Sequence, residues 1–119
     1  MDKKKALEEK IRFQVECEKT AHLTVQRLLD NPVTEDFLID SGRLIKPEHY
    51  DDVIEERAIS HQCGYPVCPN SLANNFCSNE CYNASNYYKS QLSTSPLWMR
   101  KNQKIPTLML LSKPEARYV

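Results

Sequence analysis

The chain has 119 residues, 40% of them apolar and 27% charged, and its 16 basic and 16 acidic side chains leave a formal net charge of zero. That length fits one soluble domain, and the balanced charge excludes a strong, delocalised attraction to nucleic acid or anionic lipid, although Lys3, Lys4 and Lys5 form a local basic cluster. No apolar run suits a signal peptide or a membrane span, so the reading is of an intracellular protein with reduced thiols.

From Lys3 to Leu29 the apolar residues Leu7, Ile11, Val15, Ala21, Val25, Leu28 and Leu29 mostly recur every three or four positions. The spacing predicts one long amphipathic helix that packs on the rest of the chain or takes a partner. Asp30-Asn31-Pro32 ends it, because the residue before proline is pushed out of the helical region. Thr34 is positioned to cap a short second helix with Glu35 and Asp36 in its first turn and Gly42 as its stop. Pro47 opens a third helix carrying Tyr50, Val53 and Ile54 on one face and an acidic run on the other.

Four of the five cysteines follow in nineteen positions: Cys63 and Cys68 as C-x4-C, eight intervening residues, then Cys77 and Cys81 as C-x3-C. Two close pairs from separate elements suit a tetrahedral, four-thiolate zinc knuckle with one structural zinc per chain and no open position for water. Gly64 and Pro66 are expected to bend the knuckle, Gly64 by a positive φ. Ser78 is expected to cap a fourth helix whose N-terminal partial charge favours the anionic zinc-thiolate group. Cys17, forty-six positions upstream, and His61 stand outside this shell. Cys81, Ala84, Ser85, Tyr88 and Leu92 continue one face of that helix. Leu97-Trp98-Met99 are expected to lie extended across the core, with Trp98 as the largest burial, and residues 101–119 to form a mobile tail that adds at most a short strand or helix around the apolar run Leu108-Met109-Leu110-Leu111.

Four blocks carry a resemblance: Glu55-Glu56-Arg57; Cys63-Gly64-Tyr65-Pro66-Val67-Cys68; Phe76-Cys77-Ser78-Asn79-Glu80-Cys81-Tyr82-Asn83-Ala84-Ser85; and Ser95-Pro96-Leu97-Trp98-Met99-Arg100. From about Lys10 to Arg100 the chain resembles the atypical phosphatases of the RNA polymerase II-associated protein 2 type. The resemblance implies a zinc-binding, mainly α-helical module over residues 1–100, with the zinc part at 63–100. It further implies a protein-serine phosphatase that acts on the phosphorylated C-terminal repeats of the largest RNA polymerase II subunit and so regulates transcription; the expected location is nucleus and cytoplasm. The alternative is a non-catalytic module that binds RNA polymerase II and serves its assembly, nuclear import or initiation control. A truncated form with no activity of its own is a third reading. A β-hairpin insertion between the second and third cysteines of the family is replaced here by Pro69-Asn70-Ser71-Leu72-Ala73-Asn74-Asn75-Phe76.

The residues themselves exclude a cysteine-dependent phosphatase. The position where that mechanism needs arginine, six after each cysteine, holds Leu23, Pro69, Asn74, Asn83 or Tyr87. An Asp-x-Asp nucleophile and a two-metal His/Asp clamp are missing as well. What remains for phosphoryl chemistry is Glu56 and Arg57 with His49 one or two helical turns earlier: arginine to grip phosphate, glutamate or histidine to move a proton. The plainer alternative is a surface ion pair beside a half-exposed histidine.

Overall fold

The computed structural model describes residues 2–30, 32–70, 76–102 and 107–111. Its elements are α1 (Lys3–Leu29), α2 (Glu35–Ser41), α3 (Pro47–Ile59), α4 (Asn79–Ser90) and a 3-10 helix (Leu97–Asn102), so the fold is mainly α, as expected. The termini follow local chemistry. The Asp2 side chain accepts from the Lys4 N–H, Thr34 from that of Phe37 and Ser78 from that of Cys81, each satisfying an amide that the first helical turn leaves without a partner. Pro47 supplies the first residue of α3, and the Lys46 N–H donates to His49 Nδ1 at 2.9 Å.

The core forms where α1, α3 and α4 meet α2. Leu28, Leu38, Ile45, Tyr50, Val53 and Tyr88 are fully buried. Two tyrosines tie these layers together while hiding their hydroxyls. Tyr50 and Ser85 share a hydrogen bond of 2.6 Å between α3 and α4, and the Tyr88 hydroxyl donates to the Leu38 carbonyl at 2.7 Å, fixing α4 to α2. Their rings stand 4.9 Å apart, tilted by 54°, a geometry that suits the ring quadrupoles.

Several expectations are corrected. Only the C-terminal half of α1 packs: Ala21, Thr24 and Leu28 are buried, whereas Leu7, Ile11 and Val15 are exposed, because a helix of 27 residues outruns the core it rests on. Gly64 has no positive φ; His61 takes that conformation instead, at φ 62°, where the chain turns from α3 into the knuckle. Leu97-Trp98-Met99 are not extended. They open the 3-10 helix, Trp98 is half-buried and Met99 exposed, since the chain curls back to bring Arg100 inward. The largest buried side chain is Arg57, not Trp98.

Gly42 does end α2, yet with a right-handed φ of −61°. Its lack of a side chain serves packing: a Cβ there would collide with Leu108 and approach Leu92 to 3.3 Å. The expectation of a mobile tail is therefore also corrected, at residues 107–111. Leu108 is buried, and Gln91 holds the Met109 backbone twice, donating to its carbonyl at 2.7 Å and accepting from its N–H at 2.9 Å. Residues 103–106 and 112–119 of that tail, and 71–75 of the short loop, lie outside the described residues.

Candidate metal centre and adjoining groove

The knuckle leaves α3 at His61, and Cys63 to Cys68 are buried in an unbroken run. Two backbone bonds fold it: Cys68 N–H to the Tyr65 carbonyl at 2.9 Å and Cys63 N–H to the Asn70 carbonyl at 3.0 Å. A third, from Val33 N–H to the Pro66 carbonyl at 3.1 Å, joins it to the segment after α1. Tyr65, Pro66 and Val67 thus add to the core, which their position between two cysteines did not suggest. Cys77 and Cys81 arrive from the other side, before and within the first turn of α4.

All four sulfurs lie within 4.8 Å of one another, with Cys68 and Cys77 at 3.6 Å and Cys77 and Cys81 at 3.5 Å. A tetrahedral ion with metal–sulfur bonds of about 2.3 Å sets its sulfurs about 3.8 Å apart, so the four side chains can hold a metal ion. They are free thiols, with separations far above a disulfide bond. Amides already point at them: Cys77 N–H to Cys63 Sγ and Asn70 Nδ2 to Cys77 Sγ, both 3.5 Å, the donors that thiolate ligands need. As thiols they oppose one another's ionisation. Cys63 is held down at about 5 by a hydrogen bond from Cys81, burial pushes Cys68 up to about 11, and Cys81 is driven upward as the donor to Cys63. A divalent cation resolves this conflict by displacing protons. Cys17 lies on α1, outside the group, and so does exposed His61.

Arg57 is where sequence reasoning and structure part. Its guanidinium is buried and donates to four carbonyls: Nε to Cys63 at 2.7 Å, Nη1 to Leu28 at 2.9 Å and Asp30 at 3.2 Å, and Nη2 to Cys68 at 3.3 Å. It joins the end of α1 to both knuckle cysteines and is not open to phosphate; the reading of Arg57 as a phosphate grip is corrected. Burial lowers its pKa, and the neighbouring Cys63 and Cys68 oppose that shift. Arg100 is built alike. It donates to the carbonyls of Ile45 at 2.8 Å, Ser93 at 2.6 Å, Arg43 at 3.2 Å, Ser95 at 3.3 Å and Gly42 at 3.4 Å. No sequence signal marked either arginine as internal, because arginine is seldom buried.

Glu56, one position before Arg57 and so about 100° around the helix, faces the other way. With His49, Asp52, Glu18, His22, Val25, Gln26 and Leu29 it lines an open groove of about 420 Å³ between α1 and α3. His49 Nδ1 accepts from Lys46, so the neutral ring carries its proton on Nε2, which lies 4.0 Å from Glu18 Oε1. The structure therefore brings His49 and Glu56 into one groove and separates Arg57 from them. It adds Glu18, His22 and Asp52, which periodicity alone did not distinguish from a solvated face.

The sequence pattern of the Rtr1/RPAP2 family matches residues 43–75, from the end of α2 through the knuckle. The chain is 38% identical over 133 positions to a zebrafish (Danio rerio) protein named as a putative RNA polymerase II subunit B1 CTD phosphatase, covering 93% of this chain and 22% of that one. That alignment is longer than this chain, so the relative carries residues absent here. A Drosophila melanogaster protein named as a putative homolog of the same phosphatase is 35% identical over 115 positions, with 78% of this chain and 80% of the relative covered. The crystal structure of the Kluyveromyces lactis Rtr1 N-terminal domain shares the fold, with a TM-score of 0.73 at 22% identity over 83% of this chain and 82% of that one.

Proposed function

The chain belongs to the Rtr1/RPAP2 family, and on that footing we propose that it is a zinc-stapled module which removes phosphate from serine in the C-terminal repeats of the largest RNA polymerase II subunit. The observation that carries this reading is the match over most of the length of the Drosophila relative, named for that activity. The chain spans only 22% of the zebrafish relative, so the activity of the longer relatives enters as part of the proposal. One zinc bound by Cys63, Cys68, Cys77 and Cys81 has its four positions filled by thiolates; its contribution is structural, and it activates no water. Chemistry then falls to the groove, with Glu56 as proton acceptor and His49, through its Nε2–H, as donor to a phosphate oxygen or leaving group. A polymerase substrate implies a nuclear and cytoplasmic location.

One observation favours a second reading, a polymerase-binding module without turnover. Among the described residues the groove wall carries Glu18, Asp52 and Glu56 and no lysine or arginine, a poor setting for a phosphate dianion. Phosphate release from a phosphoserine repeat peptide, measured beside capture of RNA polymerase II, separates the two. Turnover that falls by about a hundredfold in Glu56→Ala and His49→Gln, with capture intact, supports the phosphatase. Capture without release, at wild-type zinc content, supports the binding module.

A further inference from the structure

The exposed half of α1 is patterned. Leu7, Ile11 and Val15 are 56%, 49% and 58% exposed, and steps of four residues advance only about 40° around a helix, so the three form one stripe. Glu18, His22 and Val25 continue the same face into the groove wall. Read from its N-terminus, this face is basic at Lys3 and Lys4, apolar in the middle and acidic where Glu18 meets Asp52 and Glu56 of α3.

A strip that is basic at one end, apolar in the middle and acidic at the other is complementary to itself when reversed. Leu7 and Val15 stand four residues either side of Ile11, and Lys4 and Glu18 stand seven either side. We infer that two copies of this chain pair antiparallel along α1 about a two-fold axis at Ile11, with Leu7 against Val15 and Lys4 of each copy against Glu18 of the other at the groove mouth. One register satisfies the apolar and the charged positions together, and both halves of the charge match come from this chain, which favours a second copy over a different partner. Two helices meeting over about four turns make an interface at or below the small end of stable ones, about 1,200 Å² in total, so the dimer is reversible and weakened by salt.

Sedimentation velocity of the full chain over a rising concentration series tests this. A monomer–dimer equilibrium is expected, with dissociation at least about tenfold easier in Ile11→Glu. Lys4→Glu and Glu18→Lys should each weaken the dimer, and the two changes together should return it to within about threefold of wild type. Unchanged circular dichroism in Ile11→Glu shows that the fold is intact, since Ile11 is exposed. A chain that stays monomeric throughout, a dimer indifferent to Ile11→Glu, or a double variant no better than the single ones overturns the inference.

Discussion

Arg57 donates from Nε to the carbonyl oxygen of Cys63 across 2.7 Å, so a side chain of α3 fixes the backbone of the first knuckle cysteine. With zinc bound by four thiolates the centre carries two negative charges, and a buried guanidinium against its backbone offsets part of that charge. The cysteine cluster and the helical core are thus one unit, and loss of either loosens both.

Arg57→Ala leaves four carbonyls without this donor, three of them in buried contacts, and is expected to cost about 3–5 kcal/mol. Arg57→Lys keeps the charge and loses the planar fork, and is expected to cost about 2 kcal/mol. Urea unfolding at fixed zinc concentration measures both; a loss in Arg57→Ala below about 1 kcal/mol would assign it a surface role.

Metal analysis of the purified chain is expected to give one zinc per molecule, lost in Cys68→Ala with Cys81→Ala. Chelation should release the knuckle and α4 and change the near-ultraviolet signal of Trp98, while α1 keeps part of its helical signal. Because Tyr65 and Val67 are core residues, the collapse should extend to α3 as well. Full zinc occupancy in the double variant contradicts the ligand set.

Alkali should unfold the protein through its buried phenols. Burial raises Tyr65 from its usual 10 to about 12, so between those values the unfolded chain releases a proton that the folded one keeps. Stability is full below about pH 10 and falls as pH rises, by about 2 kcal/mol at pH 12 from Tyr65 alone. Tyr50 and Tyr88 are raised still further by burial and carry the loss onward. Phenolate absorbance followed with circular dichroism checks this: half of the six tyrosines should ionise only as helix is lost.

His61 holds a left-handed backbone at φ 62°, a conformation that costs side-chain-bearing residues free energy. His61→Asn or His61→Gly is expected to raise stability by up to about 1 kcal/mol. Zinc content should not change, since the imidazole is exposed outside the four sulfurs. Loss of zinc in His61→Asn would make it a ligand.

The four helices and the cysteine group were legible because their determinants are local. Thr34, Pro47 and Ser78 announce helix starts through their own side chains, and paired cysteines announce through their spacing a cluster able to hold a metal. What was not legible depended on distant partners. The stripe at Leu7, Ile11 and Val15 has the period of a buried face, but only the finished fold shows that the core stops near Cys17. Glu56 and Arg57 read as a pair because they are adjacent; helical rotation sends one to the groove and the other to the interior. The turn at Leu97-Trp98-Met99 is set by Arg100 reaching carbonyls of residues 42–45, contacts that no local pattern encodes.

Gly42 and Leu108 lock like socket and plug, and this bears on where the molecule can be cut. A version trimmed at Arg100, where the last of the four motif blocks ends, would look complete by its motifs. It would nonetheless open an oily notch between Gly42 and Leu92, and Gln91 would lose both backbone partners at Met109. The smallest piece that behaves as this protein therefore extends past Leu108, and shorter fragments would tend toward stickiness for reasons unrelated to zinc or to the groove.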